Sequence, residues 1–100
     1  MELPYYAVIF TSIQTEDATG YTETSVEMEK LASQMQGYLG MDHARSEIGI
    51  TISYWKTLED IARWKAQKDH LEVQKKGKSQ WYEQYRIRIC KVEREYSFDK

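Results

Sequence analysis

The chain has 100 residues, which is enough for one hydrophobic core and leaves no room for a second. Its 41% hydrophobic and 13% aromatic content excludes a wholly disordered chain. The formal net charge of −2 divides into −6 over residues 1–55 and +4 over residues 56–100. This asymmetry suits self-association or an anionic ligand, and it is too weak for a dedicated nucleic-acid binder.

Targeting signals and cysteine chemistry add little to this picture. No run approaches the roughly 20 apolar residues of a transmembrane helix, and the N-terminus lacks the basic and apolar regions of a signal peptide. We therefore expect a cytoplasmic protein that does not associate with membranes. A single cysteine excludes an internal disulfide. Because Cys90 lies in a strand-like run, Arg-Ile-Arg-Ile-Cys-Lys-Val, we predict a buried structural thiol.

Hydrophobic periodicity predicts six elements in chain order. Alternating or continuous β-branched and aromatic residues indicate strands, and apolar residues at helical spacing indicate helices. Thr57, with an acidic residue three positions later, is typical of a helix N-cap. The predicted elements are a strand over residues 5–13, a helix over about 19–36, strands over 39–46 and 50–56, a helix over about 57–76 and a strand over 83–96.

This strand–helix–strand–strand–helix–strand order predicts an α+β, ferredoxin-like βαββαβ fold. Its four antiparallel strands form one sheet with both helices on the same face. The other face then needs a cover, and we assign Val8, Phe10 and Trp55 to it. Because so much apolar surface is unfavourable in water, the pattern predicts a homodimer in which two sheets pair back to back.

Three segments resemble one known family. They read Gln36-Gly-Tyr-Leu-Gly-Met, Ile52-Ser-Tyr-Trp-Lys and Leu58-Glu-Asp-Ile-Ala-Arg-Trp-Lys. Together they resemble the antibiotic biosynthesis monooxygenase (ABM) domains of the dimeric α+β barrel superfamily. Small uncharacterised bacterial members share a further pattern, which reads here as Trp64, Lys65, His70, Gln74, Gly77, Trp81 and Tyr82. The resemblance spans about residues 4–96 and implies a single ABM-like domain over residues 1–100.

The resemblance implies a cleft between the helices and the sheet of each subunit, lined by aromatic groups. Some members oxygenate polycyclic aromatic substrates with dioxygen and no cofactor, whereas others bind and degrade haem. The proximal histidine of the haem-degrading members would fall near Gln74 here, and their first-strand asparagine near Ile9. Neither residue can replace its counterpart, so we expect no cofactor and give haem binding the lowest rank. It stays an alternative, because Trp64 matches a tryptophan of those members and His70, one turn before Gln74, could serve as a shifted ligand.

The candidate site residues follow from the resemblance and from the aromatic clusters. His70 is the candidate base, since the ordinary pKa of histidine suits proton transfer at neutral pH, although a histidine at the surface or at the edge of the apolar stripe is the simpler interpretation. Trp64 and Trp81 are candidate aromatic walls, and core packing is the alternative for Trp64. The remaining candidates are polar or cationic groups for orienting a substrate or stabilising an anion: Tyr82, Tyr85, Arg63 and Lys65.

The sequence thus favours a homodimeric protein that binds a small, planar organic molecule. Its activity would be that of a cofactor-independent monooxygenase. The alternative is a non-enzymatic dimer that binds a ligand or serves in a stress response. The second histidine, His43, lies between Asp42 and Arg45 in a polar strand, and we expect its side chain to be exposed.

Overall fold

The computed structural model describes residues 1–17, 19–74 and 81–100, with the backbone alone for residues 70–74. Six elements follow one another as β1 (Tyr5–Gln14), α1 (Tyr21–Ser33), β2 (Tyr38–Arg45), β3 (Gly49–Trp55), α2 (Leu58–Gln74) and β4 (Tyr82–Val92). The predicted βαββαβ order is therefore confirmed. The predicted end of the second helix, at about residue 76, lies outside the described residues.

The strands form one antiparallel sheet in the order β2-β3-β1-β4. β1 lies in the middle of this sheet, where Val8 pairs with Ser53 on one side and with Ile89 on the other. The hairpin of β2 and β3 places Met41 opposite Ser53. Since side chains alternate along a strand, this register puts all four of these residues on the same face of the sheet.

Both helices pack on that face and create the hydrophobic core. Its buried members are Ala32 from α1, Ile61 and Trp64 from α2, and Trp55 from the sheet. Trp55 is fully buried, and its indole N–H donates a hydrogen bond of 2.9 Å to Ser53 Oγ. The core therefore ties α2 to the end of β3.

Two local features fix the beginning of α2. Thr57 Oγ1 accepts a hydrogen bond of 3.0 Å from the backbone N–H of Asp60, which confirms the predicted N-cap. The buried Asp60 pairs with Arg63 and lies against Gly37, which has a φ of +84°. A side chain at position 37 would collide with the Asp60 carboxylate, so only glycine allows this close approach.

The structure corrects the assignment of Val8, Phe10 and Trp55. These residues do share one face, but it is the face under the helices. The face without helices carries the alternate positions of the strands, among them Ile9 and Ile50. We call it the open face, defined by Ala7, Ile9, Thr11, Ile13, Ile50, Ile52, Tyr54, Arg86, Arg88 and Cys90.

Cys90 is a second correction, because its side chain is exposed rather than buried. It lies on the open face of β4, an edge strand, where no helix covers it. The expected exposure of His43 is confirmed. Neither helix, in its described residues, is long and apolar enough to cross a membrane.

Candidate functional site

A cavity of about 630 Å³ lies between the helices and the covered face of the sheet. Its floor comes from the centre of the sheet, where Val8, Phe10, Thr51 and Ser53 point towards the helices. A volume of this size is typical of sites that bind small organic molecules. The helices roof the sheet incompletely, and the cavity extends to β4, where Ile87 is 44% exposed.

One wall of the cavity is built on the tryptophan pair between sheet and helix. Trp64 is only 7% exposed and stacks on Trp55, with ring centroids 5.9 Å apart and an interplanar angle of 23°. Trp64 therefore belongs to the core and also lines the cavity. A wall residue packed in this way has little freedom to move when a ligand enters.

A second aromatic part of the lining is a cluster of three rings that we call the aromatic cluster: Phe10 from the floor, with Tyr82 and Tyr85 from β4. Phe10 stacks on Tyr85 at 5.4 Å with an interplanar angle of 22°, and it meets Tyr82 edge-on at 5.4 Å. Such geometries are the favoured ones for aromatic pairs. Tyr85 is 59% exposed, so its ring borders both the cavity and the solvent.

The end of the cavity is closed by the start of α1. The Tyr21 ring meets Trp81 and Tyr82 edge-on at 5.6 and 5.9 Å. The Trp81 indole N–H donates a hydrogen bond of 2.9 Å to the Thr19 carbonyl, and the Trp81 carbonyl accepts one of 2.8 Å from the Thr15 N–H. These bonds hold Trp81 against the segment that leads into α1.

Arg45 supports the same end of the cavity from β2. Its guanidinium lies 5.2 Å from the Tyr21 ring centroid and donates a hydrogen bond of 2.7 Å to the buried Ser12 Oγ. Gly49 faces this guanidinium, and a Cβ at that position would collide with it. Arg45 does not line the cavity itself, but it positions Tyr21, which does.

Charged groups reach the cavity from both helices. Lys65, Lys68 and Asp69 come from α2, and Glu29 comes from α1. The Lys68 amine lies 4.7 Å from the Phe10 ring centroid, which is within the range of a cation–π contact. Among the described residues, no group of three His, Cys, Asp or Glu side chains is arranged to hold a metal ion.

The structure brings most of the sequence-predicted site residues together. Trp64, Lys65, Trp81, Tyr82 and Tyr85 all line the cavity. Arg63 does not, and its guanidinium pairs with Asp60 instead. The backbone of His70 belongs to α2, but its side chain lies outside the described residues.

Sequence reasoning missed several lining residues, among them Phe10, Tyr21, Met28, Met41 and Lys68. Lys68 had a usable signal, since it lies four residues after Trp64 and so on the same side of an α-helix. For Phe10 the signal was incomplete, because alternation groups it with Val8 and does not say which face the helices cover.

Comparison with known proteins supports this fold over nearly the whole chain. The Bacillus subtilis protein YqjZ, which is uncharacterised, is 43% identical over 101 residues, covering 99% of this chain and 89% of YqjZ. This chain belongs to the YqjZ family. No family model matches it.

Solved structures extend the likeness of this YqjZ-family protein to the ABM fold. An ABM-like protein from Nitrosomonas europaea superposes with a TM-score of 0.70 at 16% identity, covering 90% of each chain. Another, from Bacillus cereus, has a TM-score of 0.62 at 16% identity, covering 96% of this chain and 98% of that one. The protein PA3566 from Pseudomonas aeruginosa has a TM-score of 0.68 at 13% identity, covering 93% and 96%. The expected ABM-like ferredoxin fold is thus confirmed.

Proposed function

We propose that this protein binds a small planar aromatic molecule in the cavity and oxygenates it with dioxygen, without a cofactor. The observation that carries the proposal is that one cavity is lined both by Trp64, which is packed into the core, and by the aromatic cluster. Flat rings stack favourably against such walls, which gives affinity and a fixed orientation. The likeness to ABM-like structures supports the reaction type by analogy of fold.

The reaction needs a substrate that becomes electron-rich when it loses a proton. For an anthrone-type methylene, deprotonation gives a carbanion that transfers an electron to dioxygen, and the two fragments combine as a peroxide anion. Protonation and loss of water then leave the ketone, so that R₂CH₂ and O₂ give R₂C=O and H₂O. The protein has to accept the first proton, hold the anion and keep the substrate flat.

The chain's own residues divide these tasks. His70 is the proposed base, at a position in α2 that directly follows the cavity residue Asp69. Lys65 stabilises negative charge on the substrate or the peroxide from the edge of the cavity. The hydroxyl groups of Tyr82 and Tyr85 orient polar atoms of the substrate. Trp64 and Trp81 hold its faces and limit the access of water.

Oxygen consumption tests the proposal. The purified protein, given an anthrone-type substrate, is expected to consume one dioxygen per ketone group formed, faster than the buffer alone. The variant His70→Ala should lose most of this rate while retaining substrate binding, and Trp64→Leu should weaken binding itself. Binding without oxygen uptake would support the alternative of a non-enzymatic ligand-binding protein. Failure to bind any planar aromatic compound would contradict both.

We further propose that two copies pair through the open face. Ile50 is 41% exposed there, beside the partly buried Ile9 and Ile52, and neither helix covers this surface. The three isoleucines form an apolar patch on a face that also carries Arg86 and Arg88, and such a patch is stabilised by a second sheet packed against it. The cavity lies on the other side of the sheet, so each copy keeps its own cavity in such a dimer.

A further inference from the structure

We infer that the cavity selects planar aromatic ligands that carry a negative charge, and that Lys68 is the residue that recognises this charge. The inference rests on the proposed binding of planar aromatics in the cavity and adds the chemical class of the ligand. Three observations support it: the position of the Lys68 amine, the lack of a carboxylate partner for that amine among the described residues, and the partial burial of the side chain.

The position of Lys68 places a cation directly on an aromatic wall. Lys68 follows Trp64 by one helical turn, so its aliphatic stem continues the apolar side of α2. The amine at its end lies 4.7 Å from the centroid of Phe10. Phe10 in turn stacks on Tyr85 at 5.4 Å. A flat ligand that occupies the cavity beside these rings therefore has its edge close to a positive charge.

The hydrogen-bonding capacity of this amine is not used up within the described protein. A lysine amine has three N–H donors, and an aromatic face satisfies none of them as a carboxylate would. Among the described residues, Lys68 takes part in no ion pair. Glu29 and Asp69 also line the cavity without pairing with Lys68.

The degree of burial distinguishes Lys68 from Lys65. Lys68 is half-buried whereas Lys65 is exposed, although both line the cavity. Water and salt screen the field of an exposed charge, and the screening is weaker where apolar groups exclude solvent. A carboxylate or phenolate in the cavity is thus stabilised more by Lys68 than by Lys65.

Three isosteric probes test the charge preference: 2-naphthoate, the neutral 2-naphthamide and the cationic 2-naphthylmethylammonium ion. Isothermal titration calorimetry of the whole protein is expected to give the tightest binding for 2-naphthoate and weaker binding for 2-naphthamide. Equal affinity for these two would overturn the inference while leaving the aromatic site intact. A preference for the cation would assign recognition to Glu29 and Asp69 instead. If none of the three binds, the proposed function fails as well.

Matched variants then test the residue. Lys68→Met keeps the length of the stem and is expected to lower the affinity for 2-naphthoate about tenfold, which is about 1.4 kcal/mol, with less than a twofold change for 2-naphthamide. Lys65→Met should lower 2-naphthoate affinity by about twofold, and Lys56→Met, outside the cavity, should leave it unchanged. Equal losses in Lys68→Met and Lys65→Met would contradict a specific role for Lys68. An unchanged circular dichroism spectrum and unfolding midpoint show that each variant is folded.

Discussion

The indole rings of Trp55 and Trp64 stack at 5.9 Å and join β3 to α2 where the core meets the cavity. Trp55 is fully buried behind Trp64, and its N–H is satisfied by Ser53. The wall that a ligand contacts is therefore held in place by residues it does not reach. Stability and binding are expected to depend on this pair in different ways.

Trp55→Phe is expected to lower the free energy of unfolding by about 2–3 kcal/mol, because it leaves a cavity and deprives the Ser53 hydroxyl of its partner. Urea unfolding followed by circular dichroism measures the change. Ser53→Ala should cost about 1–2 kcal/mol in the natural protein and clearly less in the Trp55→Phe background. Additive losses in the double variant would show that the hydrogen bond of 2.9 Å between the two residues contributes nothing to stability.

Gly37→Ala is expected to destabilise the fold by about 2–3 kcal/mol, since alanine is strained at a φ of +84° and its methyl group collides with Asp60. Gly20→Ala is the matched control. Gly20 has a similar φ of +82°, but the nearest atom to an added Cβ is 3.7 Å away on Trp81. This control should cost only about 1 kcal/mol. If chemical denaturation gives the same decrease in unfolding free energy for both variants, α2 moves at Asp60 to make room for the methyl group at little cost.

Glu95 is expected to govern the titration of Tyr5. The Tyr5 hydroxyl donates a hydrogen bond of 2.6 Å to the Glu95 carboxylate, and this bond, with burial and the negative charge, raises the pKa of Tyr5 to about 12. Ultraviolet absorbance of the tyrosinate form should therefore show a late phase for Tyr5, besides Tyr38 and Tyr54, whose pKa values burial also raises. In Glu95→Gln the late phase should move towards the ordinary value of 10.0. An unchanged late phase would show that Glu95 is not the cause of the raised pKa of Tyr5.

The same contact predicts a dependence of stability on alkaline pH. The folded state holds the proton of Tyr5 more tightly than the unfolded state, so this stabilisation is complete below pH 10 and is lost as the pH rises through about 12. Unfolding midpoints measured across that window should fall more steeply for the natural protein than for Tyr5→Phe. Parallel curves for the two proteins would contradict the prediction.

Ile50→Lys is expected to convert the proposed dimer into a monomer, because it places a charge in the apolar patch of isoleucines that the second copy would cover. Sedimentation equilibrium should give twice the chain mass of 11.9 kDa for the natural protein and the single mass for the variant. Val26→Lys is the control. Val26 is 48% exposed on α1, and this helix packs on the other face of the sheet. A natural protein of 11.9 kDa at all concentrations would contradict the dimer.

The number, type and order of the elements could be predicted from the sequence because they depend on local patterns. Alternation in β3 separates Ile50, Ile52 and Tyr54 from Thr51, Ser53 and Trp55, and the structure keeps that separation. The N-cap role of Thr57 depends on a hydrogen bond from the backbone N–H of a residue three positions later. Such relationships involve residues that are close in the chain, so the sequence alone can indicate them.

Tertiary structure alone decided which face of the sheet the helices cover. The periodicity that groups Val8, Phe10 and Trp55 is the same whether that face meets the helices or another sheet, so the sequence left the choice open. The covering of that face buried Trp55, exposed Cys90 and brought the amine of Lys68 over Phe10. These contacts join residues far apart in the chain, and only the packing of whole elements against one another determines them.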